Sequence, residues 1–485
     1  MLYIITSISV ILSVQNNKKG FMMVNIFIKK LMIVGISLSV AATASMAKLE
    51  KTDIKIGFIA LTDCAPIVVA KEKGFFKQYG LNVHVSKEGG GWPGIQQKVI
   101  SGEYDFSHAL AGMPIAATIG INGNAHLQAL LSLDFNGNAI TFGNNIIKEM
   151  EKYGLDKSKR PVSADSLKKF IDVKRKAEGD KYQPLSFGMV HPVSTHNYEL
   201  RYWMASSGII PDSDCTIKPF PPPTMPSNLI AGNIEGYCVG EPWNSRIVLK
   251  GKGSALVTNY DIWNNNPEKV LQARADFIKK NPETTKAVMK AIIEAQMWLD
   301  ASWENREEAI GFLAKKNYVK APKSVLRKSM SGTFLYNKGV DSSNPMFNTF
   351  ANYYAAYPFY SHGMWFMTQM YRWGQIDKAI DMKAVIKKVY RPDLFEEVAK
   401  EVGYTLPPSA WKKDGVDEYN KFIDGKVWDP NKAVEYIFDT KVVNSKVSKE
   451  ALLEENKWSV ETKQPDYVCP YGPAGCADPK YVIKK

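Results

Sequence analysis

The chain has 485 residues, 45% of them apolar and 23% charged, with a formal charge of +13. That length is enough for two or three domains with full hydrophobic cores, and the composition is that of an ordinary globular protein. The basic excess is spread thinly, with no dense Lys/Arg run; this excludes a nucleic-acid-binding footprint and leaves a mild preference for anionic ligands.

Four lysines and no acid fall in the first 47 residues, so the remainder carries 58 basic against 49 acidic residues. From Met23, Lys29–Lys30 precede an apolar run, Leu31–Val40, and small residues ending Ser45-Met46-Ala47. This order predicts an export leader over residues 1–47, cut after Ala47. The run is too short to span a bilayer comfortably. A further apolar patch, Met1–Val14, points to a start codon assigned too early or to a double-hydrophobic leader. No cysteine follows until Cys64, so no lipid-attachment site is expected and the periplasm is the expected home, in solution or at the periphery of the inner membrane. Cys469 and Cys476 bracket a turn-rich loop that can close as a disulfide worth about 2–3 kcal/mol on the loop-entropy argument. Cys64, Cys215 and Cys238 sit in or beside apolar strands and are expected to be buried free thiols. No zinc-ligand spacing occurs.

The mature chain opens with a strand at Ile54–Ala60. Asp63 is placed to cap the helix Ile67–Lys73, with Pro66 in its first turn. A strand at Leu81–Val85, a glycine run at 89–91, a helix over Ile95–Ile100 and a strand at Tyr104–Leu110 complete a β-α-β-α-β unit typical of a mostly parallel sheet. The stretch Lys98–Phe106 is echoed 130 residues on by Asn228–Gly236: an apolar helix end, a stopping glycine, an acid, then a strand. Asp156–Tyr182 is lysine-rich and reads as a surface helix. Leu185–Val190 is the next strand; it runs through a turn with Pro192, Ser194 and Thr195 into a helix opening near His196. Such a junction aims backbone N–H groups and a positive dipole end at the sheet's carboxyl edge, where α/β proteins hold small anions. From Pro282 the chain turns helical, with Val288, Ile292, Ala295 and Trp298 on one face. Phe359–Trp373 is crowded with aromatics that suit packing between elements. The last 75 residues are polar and read as a peripheral tail.

No Gly-x-Ser-x-Gly elbow, Walker A loop or His-Glu-x-x-His helix is present, so no catalytic set is assigned. The glycine run at 89–91 lacks the lysine and Ser/Thr of a phosphate loop. His191, His196 and Glu199 are the nearest approach to a metal cluster, but Pro192 and the turn leave their geometry open. No metal and no cofactor is expected. Export, two lobes and no catalytic set read as a binding protein.

Ile56–Phe76 resembles the opening of the nitrate- and bicarbonate-binding proteins of ABC importers. So do Leu133–Ile140, Arg201-Tyr202-Trp203, Pro221–Met225, Tyr237–Trp243, and Pro267-Glu268-Lys269 with Arg274-Ala275-Asp276, all in family order from about residue 53 to 300. The resemblance implies a type II periplasmic-binding-protein C-clamp: two α/β lobes around a central cleft, with a helical C-terminal extension. The divisions expected are 48–137 and 250–400 for lobe I with the helical region, 138–249 for lobe II, and 401–485 for the tail. It implies capture of nitrate or nitrite by a monomer and delivery to a membrane permease and ATPase. Family ligand positions carry over to Trp92, Asn138, His196 and Lys269, with Pro222 and Gly240 nearby. Nitrate accepts hydrogen bonds and donates none, so the roles expected are charge compensation from Lys269, donors from His196 and Asn138, and a flat wall from Trp92.

Two positions bear on the choice of ligand. Nitrate-binding members tend to have glutamine where this chain has Asn138, whereas bicarbonate-binding members have an acid, associated with calcium, where it has Lys269. A site of donors only would disfavour bicarbonate, which brings an O–H of its own. Glu241 is the one acid expected nearby, paired with Lys269 or capping the helix after Pro242. The alternatives are a binding protein for bicarbonate or for a sulfonate such as taurine, a nitrate-sensing regulator, and a thiamine-pyrimidine-type enzyme.

Overall fold

The computed structural model describes residues 48–121 and 123–477; the expected leader and its cleavage point after Ala47 lie outside them. The strands, in chain order, are β1 (Asp53–Phe58), β2 (Asn82–Lys87), β3 (Phe106–Leu110), β4 (Leu127–Asn136), β5 (Asn138–Gly143), β6 (Leu185–Met189) and β7 (Cys215–Pro219). They continue with β8 (Gly236–Gly240), β9 (Gly253–Thr258), β10 (Pro267–Arg274), β11 (Thr333–Asn337), β12 (Val340–Ser343) and β13 (Asn348–Thr349). One sheet has the order β13-β4-β10-β3-β1-β2 and a second the order β7-β6-β8-β5-β9, with β11 and β12 forming a separate hairpin.

Both sheets are mixed in the same way. In the first, β1 runs parallel to β2 and β3, and β10 is antiparallel to β3 and β4. In the second, β6 runs parallel to β7 and β8, and β5 is antiparallel to β8 and β9. The chain passes from the first sheet to the second at Gly137, between β4 and β5, and returns over residues 259–266. The second sheet therefore includes β9, beyond the division expected at residue 249. These two crossings bring the carboxyl ends of the parallel strands in both sheets to one central cleft.

The echo of Lys98–Phe106 in Asn228–Gly236 is structural. The helix Gly91–Ser101 stops at Gly102 (φ 83°) and leads to β3; the helix Met225–Ala231 stops at Gly232 (φ 76°) and leads to β8. A left-handed residue at that position ends a helix at least cost when it has no Cβ. Helices cover both faces of the first sheet, the longest being Pro282–Ala301, which buries Val288, Ile292 and Ala295. β4 is buried along its whole length, its polar Gln128, Ser132, Asp134 and Asn136 included.

The C-terminal stretch is less peripheral than its polarity suggests. Phe422 stacks on Trp263 with ring centroids 4.9 Å apart, and fully buried Trp428 donates its indole N–H to the Ser361 carbonyl at 3.3 Å. A few large aromatics spaced through polar sequence anchor the segment, a pattern that average composition hides. Cys469 and Cys476 form a disulfide, and their loop is held where the Asn352 amide donates to the Gly472 and Ala474 carbonyls, each at 2.9 Å. Cys64, Cys215 and Cys238 are buried free thiols, as expected.

Candidate anion site at the lobe junction

β1 ends in a 3-10 turn, Thr62–Cys64, that buries Asp63. Asp63 does not cap the following helix: that helix begins at Ala65 without a side-chain cap. Its carboxylate instead lies 2.8 Å from Lys269 Nζ and 3.1 Å from His108 Nε2. His108 Nδ1 accepts the Ile59 backbone N–H at 3.3 Å, so the ring proton sits on Nε2, facing Asp63. Trp92, the second residue of its helix, sets its ring edge-on to His108 at 5.2 Å and 5.6 Å from Lys269 Nζ.

Lys269 and Glu268 are neighbours at the start of β10, and both are fully buried. A regular strand would send them to opposite faces. Here the pairing of β10 with β4 shifts register on both sides of Lys269, and such a bulge re-aims side chains. Lys269 Nζ therefore contacts both Asp63 and Glu268. The same Glu268 oxygen stands 3.4 Å from His196 Nε2. Glu268 Oε2 is buried without a hydrogen-bond partner.

The second lobe supplies the opposite wall. Ser194 caps the helix Thr195–Ser206 by accepting the Asn197 N–H at 3.0 Å, and this sets His196 in the first turn. His196 is fully buried, and neither ring nitrogen makes a hydrogen bond of good geometry. Asn138, at the start of β5, lies opposite Gly240 at the end of β8. A Cβ on Gly240 would fall 3.1 Å from Asn138 Oδ1, 3.3 Å from Leu61 Cδ2 and 3.5 Å from Asp63 Oδ2. Glycine at 240 is thus what lets the two walls close this tightly. Pro222 is buried in the turn after β7, where its carbonyl accepts the Met225 N–H and its ring has no donor to offer.

Burial works against every charge in this cluster. Asp63 and Glu268 are nevertheless held below the usual carboxylate range by Lys269, with His108 assisting at Asp63 and His196 at Glu268. Lys269 is held above the lysine range by Asp63 and Glu268. Burial pushes His196 down to about 4 against the pull of Glu268, and it lowers His108 as well. Asp134, which accepts the Lys269 backbone N–H at 3.1 Å, and Glu199 are pushed well up by burial, with Asp63 adding to the push on Asp134 and Glu268 to that on Glu199.

The structure brings Trp92, Asn138, His196, Gly240 and Lys269 together. It also corrects the expectation of a site made of donors only: Asp63 and Glu268 are part of it, and Lys269 is already paired with both. Glu241 is elsewhere in role. Its carboxylate accepts the Ser245 N–H at 3.2 Å, capping the helix after Pro242. Among the described residues no group of three or more His, Cys, Asp or Glu is arranged to hold a metal ion, so His191, His196 and Glu199 do not form one. Both missed acids lie within motifs of the resemblance, Asp63 in Ile56–Phe76 and Glu268 in Pro267-Glu268-Lys269.

Two α/β lobes joined by two crossings, with a buried polar cluster at their facing edges, define a substrate-binding protein of the periplasmic type. The chain belongs to the NMT1-like family, whose model matches residues 47–314. The nitrate/nitrite binding protein NrtA of Nostoc sp. is 35% identical over 83% of this chain and 88% of its own length. The nitrate import ATP-binding protein NrtC of Synechocystis sp. is 39% identical over 80% of this chain, which spans 55% of that longer protein. The crystal structure of the periplasmic nitrate-binding protein NrtA from Synechocystis matches with a TM-score of 0.73 at 31% identity, covering 81% of this chain and 100% of the other.

Proposed function

We propose that this protein captures nitrate or nitrite in the periplasm and hands it, as a monomer, to the permease and ATPase of an ABC importer. The observation that carries the reading is the set of buried polar atoms at the lobe junction that no protein group satisfies with good hydrogen-bond geometry: Trp92 Nε1, the Asn138 amide and both ring nitrogens of His196. Buried polar groups in folded proteins are paired with protein, water or ligand, and a small anion at this junction would pair these four at once. Lys269 supplies the positive centre, with the flat Trp92 ring 5.6 Å from its Nζ. The likeness to NrtA supports the same reading.

Residues 1–47 then act as the export leader; mass spectrometry of protein recovered from the periplasm should find a chain starting at Lys48. Titration calorimetry of the purified chain tests the ligand. Nitrate and nitrite should bind in the low-micromolar range, equivalent to about 8 kcal/mol, while taurine gives no heat. A second reading has one specific observation in its favour. Glu268 Oε2 and Asn138 Oδ1 are acceptors, which suits bicarbonate with its O–H. Heat with bicarbonate and calcium, and none with nitrate or nitrite, would replace the first reading with the second.

A further inference from the structure

The buried cluster already sets two carboxylates, Asp63 and Glu268, against the single ammonium of Lys269. Glu268 is faced by Lys269 on its own strand, His196 and Glu199 on the helix Thr195–Ser206, and Asn138 at the start of β5. Through Lys269 it is coupled to Asp63 after β1, His108 on β3 and Asp134 on β4, and the Cys238 thiol on β8 lies within its field. Lys269 is the one cation in this set. Asp63 and Glu268 both sit against its ammonium group, while burial raises Asp134, Glu199 and Cys238 and lowers both histidines, in each case toward the uncharged form. Two carboxylates on one ammonium give the cluster more acid than base before any ligand arrives. An incoming monoanion would add to that imbalance in a dry cleft. It would also meet Glu268 Oε2, an acceptor with nothing to accept.

We propose that Glu268 faces the ligand and that the anion is captured together with one proton from solvent, shared across the 3.4 Å gap between Glu268 and His196. The proposal rests on the nitrate reading above. The proton enters as the lobes close on the anion and returns to solvent when the anion leaves; no bond of the ligand is made or broken. In the bound state the proton turns the pair from an imidazole and a carboxylate into a net-neutral unit that can donate toward the ligand. This makes Glu268 a determinant of specificity, because a ligand carrying its own hydroxyl would not need the proton. Burial of His196, which favours its neutral form at rest, leaves room for the uptake.

Linkage fixes the sign: a complex that holds one more proton than the free protein weakens as pH rises, by up to tenfold in Kd per pH unit. Calorimetry of the purified chain with sodium nitrate, at pH 6 to 9 in two buffers of different ionisation heat, reads both quantities. The expected result is close to one proton taken up per nitrate at pH 8, with Kd rising about tenfold between pH 7.5 and 8.5. Glu268→Gln should remove the uptake, flatten the profile and bind nitrate at pH 8.5 at least as tightly as the wild type. Nitrate binding with no net proton uptake and a flat Kd overturns the proposal alone, and that measurement needs no variant. No heat with nitrate at any pH overturns the nitrate reading and this proposal with it. Bicarbonate binding without uptake, lost in Glu268→Gln, would assign the Glu268 acceptor to the ligand's hydroxyl and also overturn it.

Discussion

Lys269 has two carboxylates on its ammonium group before any ligand arrives, so replacing it does two kinds of damage. Lys269→Ala leaves Asp63 and Glu268 buried without a counter-ion, and breaking a buried pair in this way costs about 3–5 kcal/mol. Nitrate binding should disappear and the urea midpoint should fall together; retention of both would remove Lys269 from the site. His196 makes no good hydrogen bond in the protein, so His196→Ala should cost less stability while weakening nitrate binding by at least about tenfold, the loss of one buried ligand hydrogen bond. Glu241 has its own pH signature. Burial pushes its carboxyl from 4.5 to about 7, so between those values the folded state binds more protons than the unfolded state. Stability therefore falls as pH rises through that window. Glu241→Gln keeps the acceptor for Ser245 and removes the charge. It should raise stability at pH 8 by up to about 3 kcal/mol and change little at pH 4, as thermal unfolding at the two pH values will show.

At the scale of elements, the helix start near His196 was legible from the turn with Pro192, Ser194 and Thr195, and the structure adds that Ser194 is its cap. Ser194 also donates to the His191 carbonyl at 2.6 Å, tying the turn to the helix it opens. Ser194→Ala should lower stability by about 1 kcal/mol and weaken nitrate binding, since the ring of His196 is aimed by that turn. β10 was the opposite case. Period-two alternation assigns Glu268 and Lys269 to opposite faces, and only the register shifts against β4 put both into one cleft. Asp63 was misread for a related reason: a carboxylate just before a helix suits a cap, and nothing local shows that a lysine far along the chain will claim it instead.

For the whole molecule, the two crossings at Gly137 and residues 259–266 make one cleft out of two sheets. The disulfide-closed loop at 469–476 docks on Asn352, beside the segment that carries β13. Cys476→Ser should cost about 2–3 kcal/mol of stability on the loop-entropy argument, seen as a lower urea midpoint, without changing nitrate affinity, because the loop bonds to Asp300, Asn352 and Tyr353 rather than to Lys269 or its partners.

The amino-acid order by itself determined the repeated strand–helix units, the stopping glycines, the helix start near His196, and the motifs that carry Trp92, Asn138, Gly240 and Lys269. These are set by short-range periodicity, backbone sterics and contiguous residues. The tertiary structure alone decided that Asp63 and Glu268 share Lys269, that His196 meets Glu268, and that two carboxylates face one ammonium in the cleft. Those outcomes depend on pairing between distant segments and on a bulge, and the charge balance of a buried site is a sum over all the chains of residues that the fold brings to it.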